Sequence, residues 1–315
     1  MPLSPNHSGV LLGLAAFGVF SIHDVVVKQL GGVYSPFQIL FFSALLSFPF
    51  ITLVLIRDQK AGTLRPVHPY WIALRSISGS LSALCAFYAF ATLPFSQVYA
   101  FIFAAPLIIT ILAIPILGET VRFRRGLAVL VGLGGVLIVL RPGSTPLDTG
   151  HIAALVAAFS GALNSVVVRK IGSEERGVVM VLYPMMSNLV LSAMILPFVY
   201  VEVPVADLGR FAVVSALALM AMGLLVAAYS RAMAMTVAPM QYSQIIWAAV
   251  FGFLLFNETP EWQTYLGTAV IILSGVYILK REGTGNSSQN TPVLNTRTRM
   301  GHGALRVGDF MRRKR

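Results

Sequence analysis

Apolar residues run along this chain in long, nearly unbroken stretches, separated by short segments where charges, prolines and glycines gather. The stretches fall near residues 10–28, 36–56, 72–93, 96–117 and 124–141, and again near 151–169, 178–200, 211–232, 239–257 and 263–280. Each is about 20 residues long and lacks the polar/apolar alternation of a barrel strand, so each predicts a helix that crosses a bilayer core of ~30 Å. From Ser76 to Gly118 there are 43 residues without one charge. As helix, that run is long enough for two crossings at ~1.5 Å per residue. The pattern predicts an all-α membrane protein with ten transmembrane helices.

The second five stretches repeat the first five. Leu14 to Gly31 (LAAFGVFSIHDVVVKQLG) lies over Leu155 to Gly172 (LVAAFSGALNSVVVRKIG) at a constant offset of 141, which also sets Tyr88 on Tyr229. With slips of a residue or two, Leu117-Gly118-Glu119 meets Phe256-Asn257-Glu258, and Gly135 to Arg141 meets Gly275 to Arg281. Residues 9–143 and 150–281 therefore read as two copies of a five-helix unit, flanked by an N-terminal end at 1–8 and a basic tail at 282–315. Five is odd, so the second copy enters the membrane with the opposite orientation, and the fold expected is two inverted five-helix repeats.

Composition agrees with this and narrows it. Hydrophobic residues make up 57% of the 315 and charged ones 11%, against about 25% charged in soluble domains, so no soluble globular class fits. The net charge of +11 follows from topology. With the N-terminus inside, 20 of the 23 Lys and Arg fall in inner loops and the tail, leaving Lys28, Arg141 and Arg210 outside, as the positive-inside bias requires. Both termini are expected to be cytoplasmic, and the first span is expected to be retained, since no basic n-region or cleavage site precedes it. The tail reads as disordered and solvated, with contact to anionic lipid as the other reading; no aromatic or folded module accompanies its charge, so nucleic acid is not an expected partner. A single cysteine, Cys85, excludes an intrachain disulfide and a cysteine-rich metal site.

Ten spans in two inverted halves, together with Arg75, Phe87-Tyr88-Ala89, Leu93-Pro94, Ala105-Pro106-Leu107, Leu117-Gly118-Glu119 and Leu137 to Gly143 (LIVLRPG), resemble the EamA-type drug/metabolite transporters. Within that superfamily, Asp24 and Lys28 are similar to the Asp-x-x-x-Lys arrangement of the S-adenosylmethionine-uptake and riboflavin-transporter groups. The resemblance implies alternating access around a central cavity lined mainly by the first, third, fourth, sixth, eighth and ninth helices. The partners it implies are a small-molecule substrate and the lipid bilayer of a bacterial inner membrane.

Several polar residues in the spans are candidates for the site. Asp24 and Lys28, four apart, share a helix face. One reading makes Asp24 a cavity carboxylate meeting a proton or a cationic substrate, and the other makes the two an ion pair stapling the outer helix end. Proton coupling belongs to the first reading. His23 points about 100° from Asp24 and is expected to pack or cap. Tyr88, Tyr99, Tyr229 and Trp247 offer aromatic faces for a ring or a cation. Asn164, Gln241 and Gln244 offer hydrogen bonds, and helix packing is the alternative for each of these residues. Glu119 and Glu258 each follow a fourth helix and read as caps of the next, or as gating carboxylates. Arg75 reads as an interfacial snorkelling anchor, or as an anion contact at the cavity mouth. Gly126, Gly132, Gly134, Gly135, Gly267 and Gly275 read as close-packing positions.

No HExxH, GxSxG or phosphate-binding loop occurs, and the five histidines lack metal-ligand spacing, so no cofactor or metal is expected and an ATP-driven pump is not expected either. The function expected is secondary transport of a small polar or aromatic metabolite, similar to riboflavin or S-adenosylmethionine, by a monomer or homodimer. A broad-specificity amino-acid or drug exporter is the alternative within transport, and a membrane-embedded enzyme or structural membrane protein the alternative outside it.

Overall fold

The computed structural model describes residues 5–57, 64–118, 123–140, 148–172, 174–231 and 237–283. Its helices are α1 (Pro5–Gly31), α2 (Pro36–Arg57), α3 (Pro69–Thr92), α4 (Phe95–Phe103), α5 (Ala105–Leu117) and α6 (Phe123–Leu140). After these come α7 (Thr149–Ile171), α8 (Gly177–Val199), α9 (Val205–Arg231), a 3-10 turn (Ala238–Ser243), α10 (Gln244–Phe256) and α11 (Trp262–Gly283). Among the described residues, six helical segments are long and apolar enough to cross a membrane and four more are shorter apolar helices, so the ten predicted stretches are all helical. Glu119 and residues 284–315 of the tail lie outside the described residues.

Two of the ten segments are broken, and the sequence explains where. The fourth breaks at Ala104, because Pro106 at the start of α5 has no N–H to continue the ladder of α4. The ninth opens as a 3-10 turn beginning at Ala238-Pro239 before α10 forms. Both end on a left-handed residue, Gly118 at φ 70° and Asn257 at φ 51°, the residue types that adopt this conformation most easily. The aligned tripeptides around Gly118 and Asn257 are thus matching helix terminators. At α7, Asp148 accepts from the Thr149 N–H at 2.6 Å and forms a capping box with His151.

Packing is organised in pairs: α1 against α9, α3 against α7, α2 against α8, α4 against α10 and α6 against α11. The α6–α11 pair closes on glycine, since a Cβ on Gly135 would sit 2.8 Å from the Gly267 carbonyl and one on Gly267 would sit 2.6 Å from the Gly135 carbonyl. Gly132 and Gly275 are likewise covered, whereas Gly126 and Gly134 face open space and do not serve close packing. The main apolar cluster runs through Phe95, Tyr99, Phe101, Phe103, Leu107 and Ile271 at the centre of the bundle. Large apolar side chains such as Phe123, Phe198 and Leu254 stand on the outside, more than half exposed, a surface suited to hydrocarbon and not to water.

Cross-bundle bonds sort the helix ends into two groups. At the end where α1 begins, here the near end, His68 before α3 bonds Glu174 after α7 at 2.5 Å, and Lys170 donates to the Ile116 carbonyl at 2.7 Å. At the far end, Tyr34 donates to Asp207 at 2.6 Å, Gln38 exchanges two bonds with Val201, and Tyr88 bonds Thr149 at 2.8 Å.

Candidate functional site

Between the two groups of ends lies a cavity walled by six helices and the first residue of a seventh. Phe20, His23 and Asp24 of α1 line it together with residues of α2, α3, α4, α8 and α9, and with Gln244, the first residue of α10. This differs from the lining implied by the family resemblance. The second and seventh spans (α2 and α8) contribute, and the sixth (α7) does not, because α7 is packed face-on against α3 and α5.

Asp24 is the acidic residue of this wall. It is 3% exposed, its Oδ2 accepts from the Tyr99 hydroxyl at 2.6 Å, and its Oδ1 lies 2.8 Å from His23 Nδ1. Tyr99 is fixed in turn by rings on three sides, with Phe90, Phe95 and Phe103 at centroid distances of 5.6, 6.0 and 6.0 Å. His23 shares the site instead of packing away from it, since adjacent side chains need only lean toward each other to bond, and its ring is held 6.3 Å from Phe87. Phe20, Phe87 and Phe90 supply apolar ring surface beside the carboxylate. In the same lining, Ser43 Oγ and Gln244 Nε2 are buried polar atoms without a partner among the described residues. The arrangement can hold a cation at Asp24, a flat ring on the phenylalanines, and a polar edge at Ser43 and Gln244.

Lys28 does not pair with Asp24. Its ammonium binds Glu258 Oε1 at 2.9 Å and the Leu93 carbonyl at 2.6 Å, and lies 5.3 and 5.2 Å from the rings of Phe95 and Phe256. The four-residue spacing makes pairing with Asp24 geometrically available, but the carboxylate, the free carbonyl ending α3 and two rings together hold the cation at the far end. Glu258 does not cap the helix that follows it. Its Oε2 accepts the Phe95 N–H at 2.8 Å and so caps α4, a helix of the other half of the chain. Lys28, Glu258 and Phe95 form a latch that ties α1, α4 and α10 together over the cavity.

The other residues singled out in the sequence are dispersed. Tyr99 and Gln244 join Asp24 in the cavity wall. Tyr88 bonds Thr149 at the far end, and Trp247 is 38% exposed, stacks on Phe251 at 5.7 Å and covers Gly18. Asn164 is buried against Gly79 on the α3–α7 seam. Gln241 is buried in the 3-10 turn, outside the cavity lining. Tyr229 lies on α9 with its side chain outside the described residues. Arg75 is 1% exposed, so it is no snorkelling anchor; α7 and α8 cover the α3 face that carries it. Sequence reasoning passed over Ser43, Ser47, Asn188 and Ser215. The signal was present, as Ser43, Ala44 and Ser47 recur at helical spacing as the smaller or polar face of an otherwise bulky span.

A bundle of membrane-crossing helices around a largely apolar cavity with one buried carboxylate, walled by helices from both halves of the chain, suits a polytopic membrane transport protein. The EamA-like transporter family matches the chain twice, over residues 7–141 and 148–280, and the chain belongs to that family. It is 24% identical over 287 residues to an S-adenosylmethionine uptake transporter of Rickettsia prowazekii, covering 90% of this chain and 96% of that one. It is 25% identical over 276 residues to the pseudopaline exporter of Pseudomonas aeruginosa, covering 87% and 96%. A solved crystal structure shares the fold at a TM-score of 0.58 and 17% identity, over 87% of this chain and 98% of that one.

Proposed function

We propose that the protein is a secondary transporter of the bacterial inner membrane that carries a small zwitterionic or cationic metabolite with a planar ring, of which S-adenosylmethionine is the first to test. The observation that carries this reading is Asp24, a buried carboxylate held by Tyr99 and His23 in a wall of aromatic rings. A carboxylate is expensive to keep in the centre of a bundle, and a positively charged ligand offsets that cost. The relative named for S-adenosylmethionine uptake supports the same chemistry, since a sulfonium cation and an adenine ring fit a carboxylate beside phenylalanines.

Alternating access between inverted halves is part of the proposal. Exchanging the two five-helix units turns the α1–α9 pair into the α7–α3 pair and maps α2–α8 and α6–α11 onto themselves, which supports an internal two-fold axis. Ties between the halves at both ends, Lys28–Glu258 at the far end and His68–Glu174 at the near end, supply contacts that opening would break in turn. Both termini then lie on the cytoplasmic side. Direction is set by gradients and not by this fold, as one relative is named for uptake and another for export.

The test is uptake and counterflow in proteoliposomes of S-adenosylmethionine, riboflavin and neutral amino acids, each with and without an imposed pH gradient. Saturable flux of S-adenosylmethionine alone is expected. Flux of many unrelated compounds would favour the broad-specificity exporter, a reading supported by the largely apolar cavity lining.

A further inference from the structure

Among the described residues Arg75 is the largest fully buried side chain, yet its Nε and Nη1 donate to no described protein group. It lies one turn beyond Ile72, whose neighbours are the apolar Val167, Ile171, Val179 and Met180. Burying a guanidinium among aliphatic side chains without a carboxylate is costly, and natural helices rarely do so without a use for the charge. Two further unpartnered polar atoms lie close by. Ser76 Oγ is the next residue along, and Asn164 Oδ1 belongs to the amide packed 3.8 Å from the Cβ position of Gly79, one turn above Arg75. Of the two acids after α7 at this end, Glu174 binds the His68 ring at 2.5 Å, and Glu175 accepts the His68 N–H at 2.6 Å through Oε1 while its buried Oε2 meets no donor among the described residues, the guanidinium included.

This group lies on a line with the cavity. Arg75, Gly79, Ala83, Ala86 and Phe90 recur at helical spacing on α3, and the last three line the cavity. Eight residues separate Arg75 from Ala83, about 12 Å along the axis at ~1.5 Å per residue. The interval is polar: Ser80 donates to Asn188, a cavity residue, at 2.5 Å, and Ser82 donates to the Ala157 carbonyl at 2.9 Å. The α3–α7–α8 seam is therefore a closed, polar-lined continuation of the cavity toward the near end.

We propose that Arg75, with Ser76 and Asn164, forms an anion subsite that receives the carboxylate of the substrate when this seam opens. The inference rests on the reading of the protein as a transporter of a zwitterion. It adds a second charged contact that the substrate meets after Asp24 and not together with it, since Lys28, one turn past Asp24, reaches the Leu93 carbonyl, 18 residues along α3 from Arg75. The guanidinium fork suits a planar carboxylate, and the hydroxyl and amide complete its hydrogen bonding.

The experiment compares counterflow of S-adenosylmethionine with that of its decarboxylated analogue, in wild type, Arg75→Gln, Arg75→Lys and Glu175→Gln, alongside melting of Arg75→Met in detergent. Wild type is expected to favour the carboxylated compound by about 10- to 100-fold, the worth of a charge-assisted bond. Arg75→Gln removes that preference while the analogue's own rate stays near the wild-type value, Arg75→Lys restores part of the preference, and Glu175→Gln leaves it intact. An equal loss for both compounds in Arg75→Gln, or loss of preference in Glu175→Gln, overturns the subsite in favour of a structural or internally paired arginine. Arg75→Met is expected to melt at or above the wild-type temperature, since it removes an uncompensated charge, and a clear drop overturns the proposal. If wild type carries neither compound, the S-adenosylmethionine reading fails by itself and the melting result decides Arg75.

Discussion

Substituting Glu258 by glutamine isolates the charge of the far-end latch while leaving an amide oxygen to accept the Phe95 N–H. The pair it breaks is partly buried, with the Lys28 and Glu258 side chains 11% and 15% exposed at 2.9 Å separation. The gross attraction at that distance is about 6 kcal/mol with an effective dielectric near 20, most of it offset by desolvation. Removing one partner of a buried pair costs about 3–5 kcal/mol, because the remaining charge stays buried. Here the Leu93 carbonyl and the rings of Phe95 and Phe256 still hold Lys28, so about 2 kcal/mol is expected. Denaturant unfolding in detergent measures the loss, and Lys28→Met/Glu258→Gln should recover stability relative to Glu258→Gln alone, because the orphaned charge is gone. The same 2 kcal/mol weakens the closed far end by about 30-fold. Ala86→Cys in a Cys85→Ser background, a cavity position, should then react correspondingly faster with an impermeant maleimide. Stability within 0.5 kcal/mol of wild type, or no rescue by Lys28→Met, would refute the latch.

Other consequences follow from the same contacts. Tyr34, in the turn between α1 and α2, donates to Asp207, and that bond to a carboxylate raises its pKa from 10.0 to about 12. A raised folded-state value means the stabilisation is complete below pH 10 and disappears as pH climbs toward 12, so Tyr34→Phe should flatten the alkaline limb of stability between those values. Gly267→Ala, which would drive a Cβ into the Gly135 carbonyl, should lower the melting temperature sharply, whereas Gly134→Ala should leave it unchanged or raise it through helix propensity of about 1 kcal/mol. Gln244→Ala should weaken substrate binding about 10-fold with the fold intact, and Tyr88→Phe, remote from the cavity, should leave affinity unchanged.

Ten helices were legible because hydrocarbon forces each span to be apolar along its whole length, and that signal survives without knowledge of neighbours. The breaks were legible only as prolines. Pro106 and Pro239 mark them, while Pro49 and Pro184 sit inside continuous helices, so a proline alone does not say whether a helix kinks or stops. At the site, Asp24, Tyr99 and Gln244 stood out as polar or aromatic residues in apolar spans, and the fold brings them to one cavity. What could not be read was pairing across the bundle. Lys28 finds Glu258 across 230 positions of chain, and helical spacing on α1 suggested Asp24 because that face was the only geometry visible in the sequence. Arg75 was misplaced for the related reason that burial depends on α7 and α8, which its own helix does not reveal.

The most direct measurement of the central claim is binding and counterflow of radiolabelled S-adenosylmethionine by Asp24→Asn beside wild type, with both proteins shown to be folded by gel filtration and melting temperature. Asparagine keeps the size of the side chain and an acceptor for Tyr99, so only the charge is tested. With Asp24 as the cation contact, affinity falls by about 10- to 100-fold and flux drops with it while the protein stays monodisperse. Wild-type affinity and flux in a folded Asp24→Asn protein would contradict the assignment of this carboxylate as the substrate's charge partner.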